Sequence, residues 1–176
     1  MMLRRCAGVL GALISVLLTS PGFAQQTQVT RAAWQFGCGD AASGTRICQI
    51  QRDVVAGTGN GVGDKLVMQI LITREPGAHE ELLRFVTPHG VDLKSGLSYS
   101  VTHKGETSAL RMLDYKTCSG RGCIALVAFN DDEIEAFIKG RKMDVAYTAG
   151  DLNQVNVSID LKGFKAVHKK LEKATK

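Results

Sequence analysis

The chain is patterned as a mostly β protein: a β-sandwich or partly open barrel of about eight or nine short antiparallel strands, one short helix near 131–139 and a C-terminal helix near 164–174. Three observations predict this. Most segments alternate apolar and polar residues with period two, which buries one face of a strand and wets the other. Turn residues separate these segments at short intervals. Only two segments carry helical spacing, and both bear charges placed to suit a helix end.

Segments 33–36, 46–53, 66–74 and 82–87 open the series of strands. Leu97, Tyr99 and Val101 then alternate with Ser98, Ser100 and Thr102. Segment 110–115 reads as one further strand. Ile124 to Phe129 is apolar on both faces, as a central strand would be. Met143, Val145 and Tyr147 alternate with Asp144 and Ala146, and Val155, Val157, Ile159 and Leu161 with Asn156, Ser158 and Asp160.

The first helix begins with Asp131, Asp132 and Glu133 and ends with Lys139 and Gly140, charges that oppose the helix dipole. Ile134, Phe137 and Ile138 form its apolar stripe, expected on a sheet edge. In the second, Phe164, Val167 and Leu171 share a face while Lys165, Lys169, Lys170 and Lys173 face out. A basic amphipathic helix can lie on a membrane surface. Here the stripe is narrow and lacks tryptophan, so the expectation is a packed terminal helix, with at most weak peripheral attraction to anionic membrane.

The first 24 residues read as a cleaved secretory signal peptide, leaving a single domain over 25–176. Arg4 and Arg5 precede an apolar run from Val9 to Leu18, and Gly22-Phe23-Ala24 supplies the small residues that cleavage after Ala24 requires. The run falls short of the ~20 residues that span a bilayer. Cys6 precedes the run and would leave with the signal. Four cysteines remain, Cys38, Cys48, Cys118 and Cys123. An even count in an exported chain reads as disulfides, with three connectivities open and proximity favouring Cys38–Cys48 and Cys118–Cys123. The C-x9-C and C-x4-C spacings do not suit a zinc ribbon.

Without the first 24 residues the chain holds 20 basic against 17 acidic side chains. That bias is too mild to argue for nucleic acid. The four alternating glycines of segment 57–63 imitate a phosphate cradle. A dinucleotide fingerprint must open a helix, whereas the next residues, Leu66 to Ile72, are strand-like. The glycines are therefore read as a turn with Asn60-Gly61 at its tip.

Several residues then fall into a set. Trp34 lies four before Cys38, and Pro88-His89-Gly90-Val91-Asp92-Leu93-Lys94-Ser95-Gly96 has the form P-x-G-V-x-L-x-x-G. Cys118 and Cys123 enclose Ser119-Gly120-Arg121-Gly122, and the chain closes on Ser158-Ile159-Asp160-Leu161-Lys162-Gly163-Phe164. In this order they resemble the invasion-associated locus B (IalB) family of exported bacterial proteins, from about Ala33 to Leu171. His89 stands where an apolar residue is expected, which implies a more exposed turn. The resemblance implies an envelope or secreted protein, named for a locus linked to host-cell invasion, and supplies no catalytic residues.

Each motif also has a structural reading. Trp34 is expected over the Cys38 disulfide. Pro88 and Gly90 shape a turn whose Val91 and Leu93 plug the core edge, Gly122 lets the short cysteine ring curl, and Gly163 permits a strand-to-helix corner before Phe164.

No complete motif for chemistry is present. His79-Glu80-Glu81-Leu82-Leu83 has leucine where H-E-x-x-H needs its second ligand. No G-x-S-x-G elbow or C-x-x-C pair occurs. His89 and His103 could converge with Asp92 or Asp114, which the sequence does not show. Asp131, Asp132, Glu133 and Glu135 read as a helix start and not as a calcium loop. The expectation is therefore a non-enzymatic envelope protein with no cofactor and no metal. It would bind an envelope or host protein through loops 57–63, 75–81 and 103–107. The alternative is a periplasmic carrier of a small ligand or lipid, with a hollow apolar interior.

Overall fold

The computed structural model describes residues 29–30, 33–41, 43–57, 65–78 and 80–176. The signal segment, most of the 57–63 turn and His79 lie outside the described residues.

The fold is mostly β, with two antiparallel sheets that do not close into a barrel. The larger sheet is built on a meander of β3 (Arg46–Ala56), β4 (Lys65–Arg74) and β5 (Glu81–Thr87). Along the outer edge of β3 lie β1 (Val29–Thr30) and β2 (Gln35–Asp40). On the other side of β5 come β10 (Gly122–Phe129) and then β9 (Tyr115–Ser119). The smaller sheet runs β12 (Gln154–Asp160), β11 (Lys142–Thr148) and β6 (Leu97–His103). Its far edge carries β7 (Glu106–Thr107) and β8 (Arg111–Leu113), both paired to β6.

Strand parity decides what each face buries. Ile50, Ile72 and Leu83 stand in one cross-strand row, and Arg52, Ile70, Phe85 and Ala125 in the next. Leu97, Tyr99 and Val101 on β6, with Met143, Val145 and Tyr147 on β11, supply the opposing layer. The Tyr147 hydroxyl bridges the sheets by donating to the Val67 carbonyl at 2.9 Å. Burial of that phenol pushes its pKa up to about 12, because ionisation would place a charge away from water.

Helix α1 (Asp131–Lys139) starts on a capping box: Asn130 accepts from the Glu133 backbone N–H at 3.0 Å, and Glu133 accepts from the Asn130 N–H at 3.3 Å. The four-acid run is thus a helix start. Helix α2 (Phe164–Ala174) leaves β12 through Gly163, whose φ of 90° is open to glycine at little cost. It buries Phe164, Val167, His168 and Leu171 and leaves Lys165, Lys169, Lys170 and Lys173 exposed. Its apolar stripe is therefore consumed in the core. A run of aromatic contacts joins the layers: Phe85 to Tyr99, Tyr99 to Phe137, Phe137 to Phe164, and Phe164 to Trp34.

Three local expectations need correction. The single strand expected over 110–115 is two, β8 on the small sheet and β9 on the large one, because the chain crosses between sheets at Asp114. Segment 103–107 is not a free loop: Lys104 and Gly105, both with positive φ, form a tight turn that brings β7 onto β6. Leu93 does not plug the core and is 53 % exposed. Asp92 accepts from the Lys94 N–H and the Ser95 hydroxyl, and this turn holds Leu93 outward. Trp34 is buried in the core cluster that also holds Cys48, and its indole meets Phe164 edge-on at 5.2 Å and Arg52 at 5.3 Å.

Candidate functional site

The four cysteines are joined as Cys38–Cys48 and Cys118–Cys123. Each pair stands directly opposite in an antiparallel register, on β2–β3 and on β9–β10. The bonds pin two hairpins at the large sheet. Gly122 sits in the second with φ 137°, and a Cβ there would lie 2.1 Å from the Thr87 carbonyl oxygen. Gly90 also has a positive φ, 82°, next to Pro88 in the exposed turn.

The residues with a possible reactive role stay apart. His89 donates from Nε2 to the Ser119 carbonyl at 2.7 Å, and His103 Nδ1 donates to the Lys139 carbonyl. Asp92 serves its own turn, where hydrogen bonds from Ser95 and Lys94 hold its carboxyl below the usual carboxylate range. No bond joins any of them to Asp114 among the described residues. No group of three or more histidine, cysteine, aspartate or glutamate side chains is arranged to hold a metal among them either.

A polar cluster that the sequence reading missed lies elsewhere. Glu81 stands on the inward face of β5, in register with Arg74 of β4. Its carboxylate lies 3.7 Å from the Arg74 guanidinium and 3.0 and 3.2 Å from His168 Nε2 of α2. Glu81 is therefore buried and not part of a contact loop. A carboxylate only accepts, so His168 carries a proton on Nε2. The signals were present: Glu81 shares parity with Leu83 and Phe85, and His168 lies one turn after Phe164 on the buried helix face. The cluster floors a cleft of about 380 Å³ between α1 and α2.

Arg52 is the second buried charge. It lies on the inward row of β3, stacks on Trp34 and donates to the Asp160 carbonyl, which also accepts from the Trp34 Nε1–H at 3.2 Å. Burial lowers its pKa and the Asp160 charge partly opposes that. These contacts tie the large sheet to the end of β12.

The third feature is an open edge. β8 pairs only with β6, and β9 only with β10, among the described residues. The stretch from Arg111 to Ser119 thus borders both sheets in turn. Leu110 and Met112 stand 63 % and 62 % exposed at its start, and Lys116 and Arg121 are exposed further along the chain. Arg111 is paired with Glu133 at 3.1 Å, and Glu133 also accepts from the Tyr99 hydroxyl. Burial, and next the Glu133 charge, push the Tyr99 pKa upward.

The motif set falls on this scaffold in chain order, and residues 34–172 match the family model described as invasion associated locus B (IalB) protein. The chain belongs to the IalB family. This IalB-family chain is 27 % identical to invasion protein B homologs of Brucella abortus strain 2308 and of Brucella abortus biovar 1 strain 9-941, over 95 % of its own length and 91 % of theirs. Its fold is similar to the crystal structure of invasion associated protein B from Bartonella henselae, with a TM-score of 0.61 at 18 % identity, covering 80 % of this chain and 91 % of that one. Two disulfides and IalB membership point to an exported protein.

Proposed function

We propose that this IalB-family protein is a non-enzymatic envelope protein that acts by binding another protein along its open edge at 110–119. The observation that carries the reading is that edge: backbone on β8 and β9 left unpaired among the described residues, with Leu110 and Met112 exposed beside it. An edge with free N–H and C=O groups accepts an added strand, and exposed apolar side chains next to it give the addition a place to bury surface. Lys116 and Arg121 favour an extended partner segment that carries acidic residues between apolar ones. Segment 1–24 would direct export and be removed, leaving the protein in the periplasm or at the outer membrane, or secreted. The relatives are named for invasion, and a role in host-cell invasion or adhesion, with an envelope or host protein as partner, is part of the same proposal. The alternative, a small-ligand or lipid carrier, draws little support from the sheet interior, where Ile70, Phe85, Leu97 and Met143 are fully buried in one cluster.

The test places a photo-crosslinking residue at Met112 in the disulfide-intact protein, with Lys170 on the opposite helix as control. One discrete crosslinked partner from position 112, absent from 170 and lost when Leu110→Glu is added, supports the reading. Equal crosslinking from both positions, or none from 112, overturns it.

A further inference from the structure

The outer face of α2 concentrates positive charge. Lys162, Lys165, Lys169, Lys170 and Lys173 are all exposed, and none has an ion-pair partner among the described residues. The face opposite the buried residues carries Lys165, Ala166, Lys169, Lys170 and Lys173, with no acid on it. Glu172 is the one acid between 162 and 173, and it lines the cleft towards α1 with Asp131 and Glu135. In that cleft Arg74 pairs with Glu81, and Lys139 pairs with Glu135. Residues 25–161 carry 14 basic and 16 acidic side chains, so the positive excess resides on the α2 segment alone.

This arrangement works against the helix that carries it. Lys165 stands in the first turn, where the helix dipole disfavours a cation and no acid offsets it. Lys165, Lys169 and Lys173 follow at i, i+4 and i+8, and like charges at that spacing repel. Phe164, Val167 and Leu171 supply the packing, so the lysines serve no contact within the fold. A charge pattern that opposes its own element and serves no internal contact points to an outside partner. Lysine heads are flexible point charges that suit many phosphates at once, and no arginine is present to fork onto one. The three lysines climb about 6 Å per step along a convex ridge, which meets a flat array of anionic groups along its length. The apolar stripe is consumed in the core, so contact is electrostatic and without insertion. We propose that α2 docks the protein peripherally on a bilayer surface of anionic phosphate headgroups, with the lysine row lying along it. The surface is separate from the open edge and stands whether or not that edge binds.

The test sediments the disulfide-intact protein with vesicles of phosphatidylcholine, alone or mixed with phosphatidylglycerol, at low and high salt. Binding should require phosphatidylglycerol and fall steeply with salt. Each lysine removed should weaken it about fivefold. Lys169→Gln should thus show about that loss, and Lys165→Gln, Lys169→Gln and Lys173→Gln together about a hundredfold. The triple variant should keep its urea midpoint without lipid, because it relieves repulsion, so its loss reports the surface and not the fold. Glutamine at Lys65, Lys94 and Lys104, exposed positions elsewhere, removes the same charge and should change binding by less than about twofold. Equal sedimentation with phosphatidylcholine alone, or none with phosphatidylglycerol, overturns the proposal. So does an equal loss from the two triple variants, or no loss from the α2 set. Tighter binding to poly-glutamate than to the anionic vesicles would assign the face to an acidic protein and overturn the bilayer reading.

Discussion

Glu81 and His168, 87 residues apart in the chain, meet in the interior with Nε2 of the imidazole 3.0 Å from Oε1 of the carboxylate. Both side chains are almost fully buried, and each is the other's nearest polar partner, with Arg74 standing 3.7 Å from the carboxylate. This bond locks α2 onto β5 and sets which imidazole nitrogen remains unpaired.

Removing one member should therefore cost more than an ordinary hydrogen bond. His168→Ala leaves a buried carboxylate with only Arg74 at 3.7 Å, and breaking such a pair costs about 3–5 kcal/mol. Arg74→Ala should cost clearly less, since that side chain is partly exposed and longer in its contact. Urea unfolding of the two variants checks the order.

Gly122 and Gly120 flank the same hairpin turn and should respond differently to alanine. Gly122→Ala forces an L residue to φ 137° and drives its Cβ onto the Thr87 carbonyl. The backbone strain alone is about 1–3 kcal/mol. Gly120 has no neighbour within 4 Å of an added Cβ and no positive φ, so Gly120→Ala should change stability by less than about 0.5 kcal/mol. Comparing the two melting temperatures tests the argument.

The disulfides should rank by the length of chain they close. Cys38–Cys48 spans 10 residues and Cys118–Cys123 spans 5. Each should contribute about 2–4 kcal/mol, the longer ring more, because it restrains more of the unfolded chain. Cys48 is also fully buried whereas Cys118 is exposed. Paired serine replacements at 38 and 48 should lower the melting temperature further than those at 118 and 123. The opposite order would refute the ring-size argument.

Alkaline pH should unfold the protein through its tyrosines. Tyr147 is pushed up to about 12 by burial, and Tyr99 and Tyr115 are raised by the same cause. An unfolded tyrosine ionises near ~10, so the folded state holds these protons more tightly. The stabilisation is complete below about pH 10 and is lost as pH rises towards 12. Phenolate absorbance and circular dichroism followed together should show delayed ionisation coupled to unfolding. Tyr147→Phe should move the transition to higher pH.

Features that depend on neighbours within a few residues were legible in the sequence alone. The bounds of α2 agree between reading and structure, because Phe164, Val167 and Leu171 repeat at helical spacing after a glycine. Alternation located β6, β11 and β12 in the same way. The motif order from Trp34 to Phe164 was enough to indicate the family.

Which distant rows face one another became visible only in three dimensions. Period two puts Glu81 and Arg52 on an inward face, but a charge on that face says nothing of the partner that satisfies it. Those partners, His168 and the Asp160 carbonyl, come from elements 87 and 108 residues further on. The break at Asp114 is likewise invisible locally: the pattern reads as one strand over 110–115, whereas β8 and β9 part there because they join different sheets, which their distant partners decide. Local pattern reports how a residue is disposed within its own element. Hydrogen-bond satisfaction and close packing are properties of pairs of elements, and those are set by how the chain closes on itself.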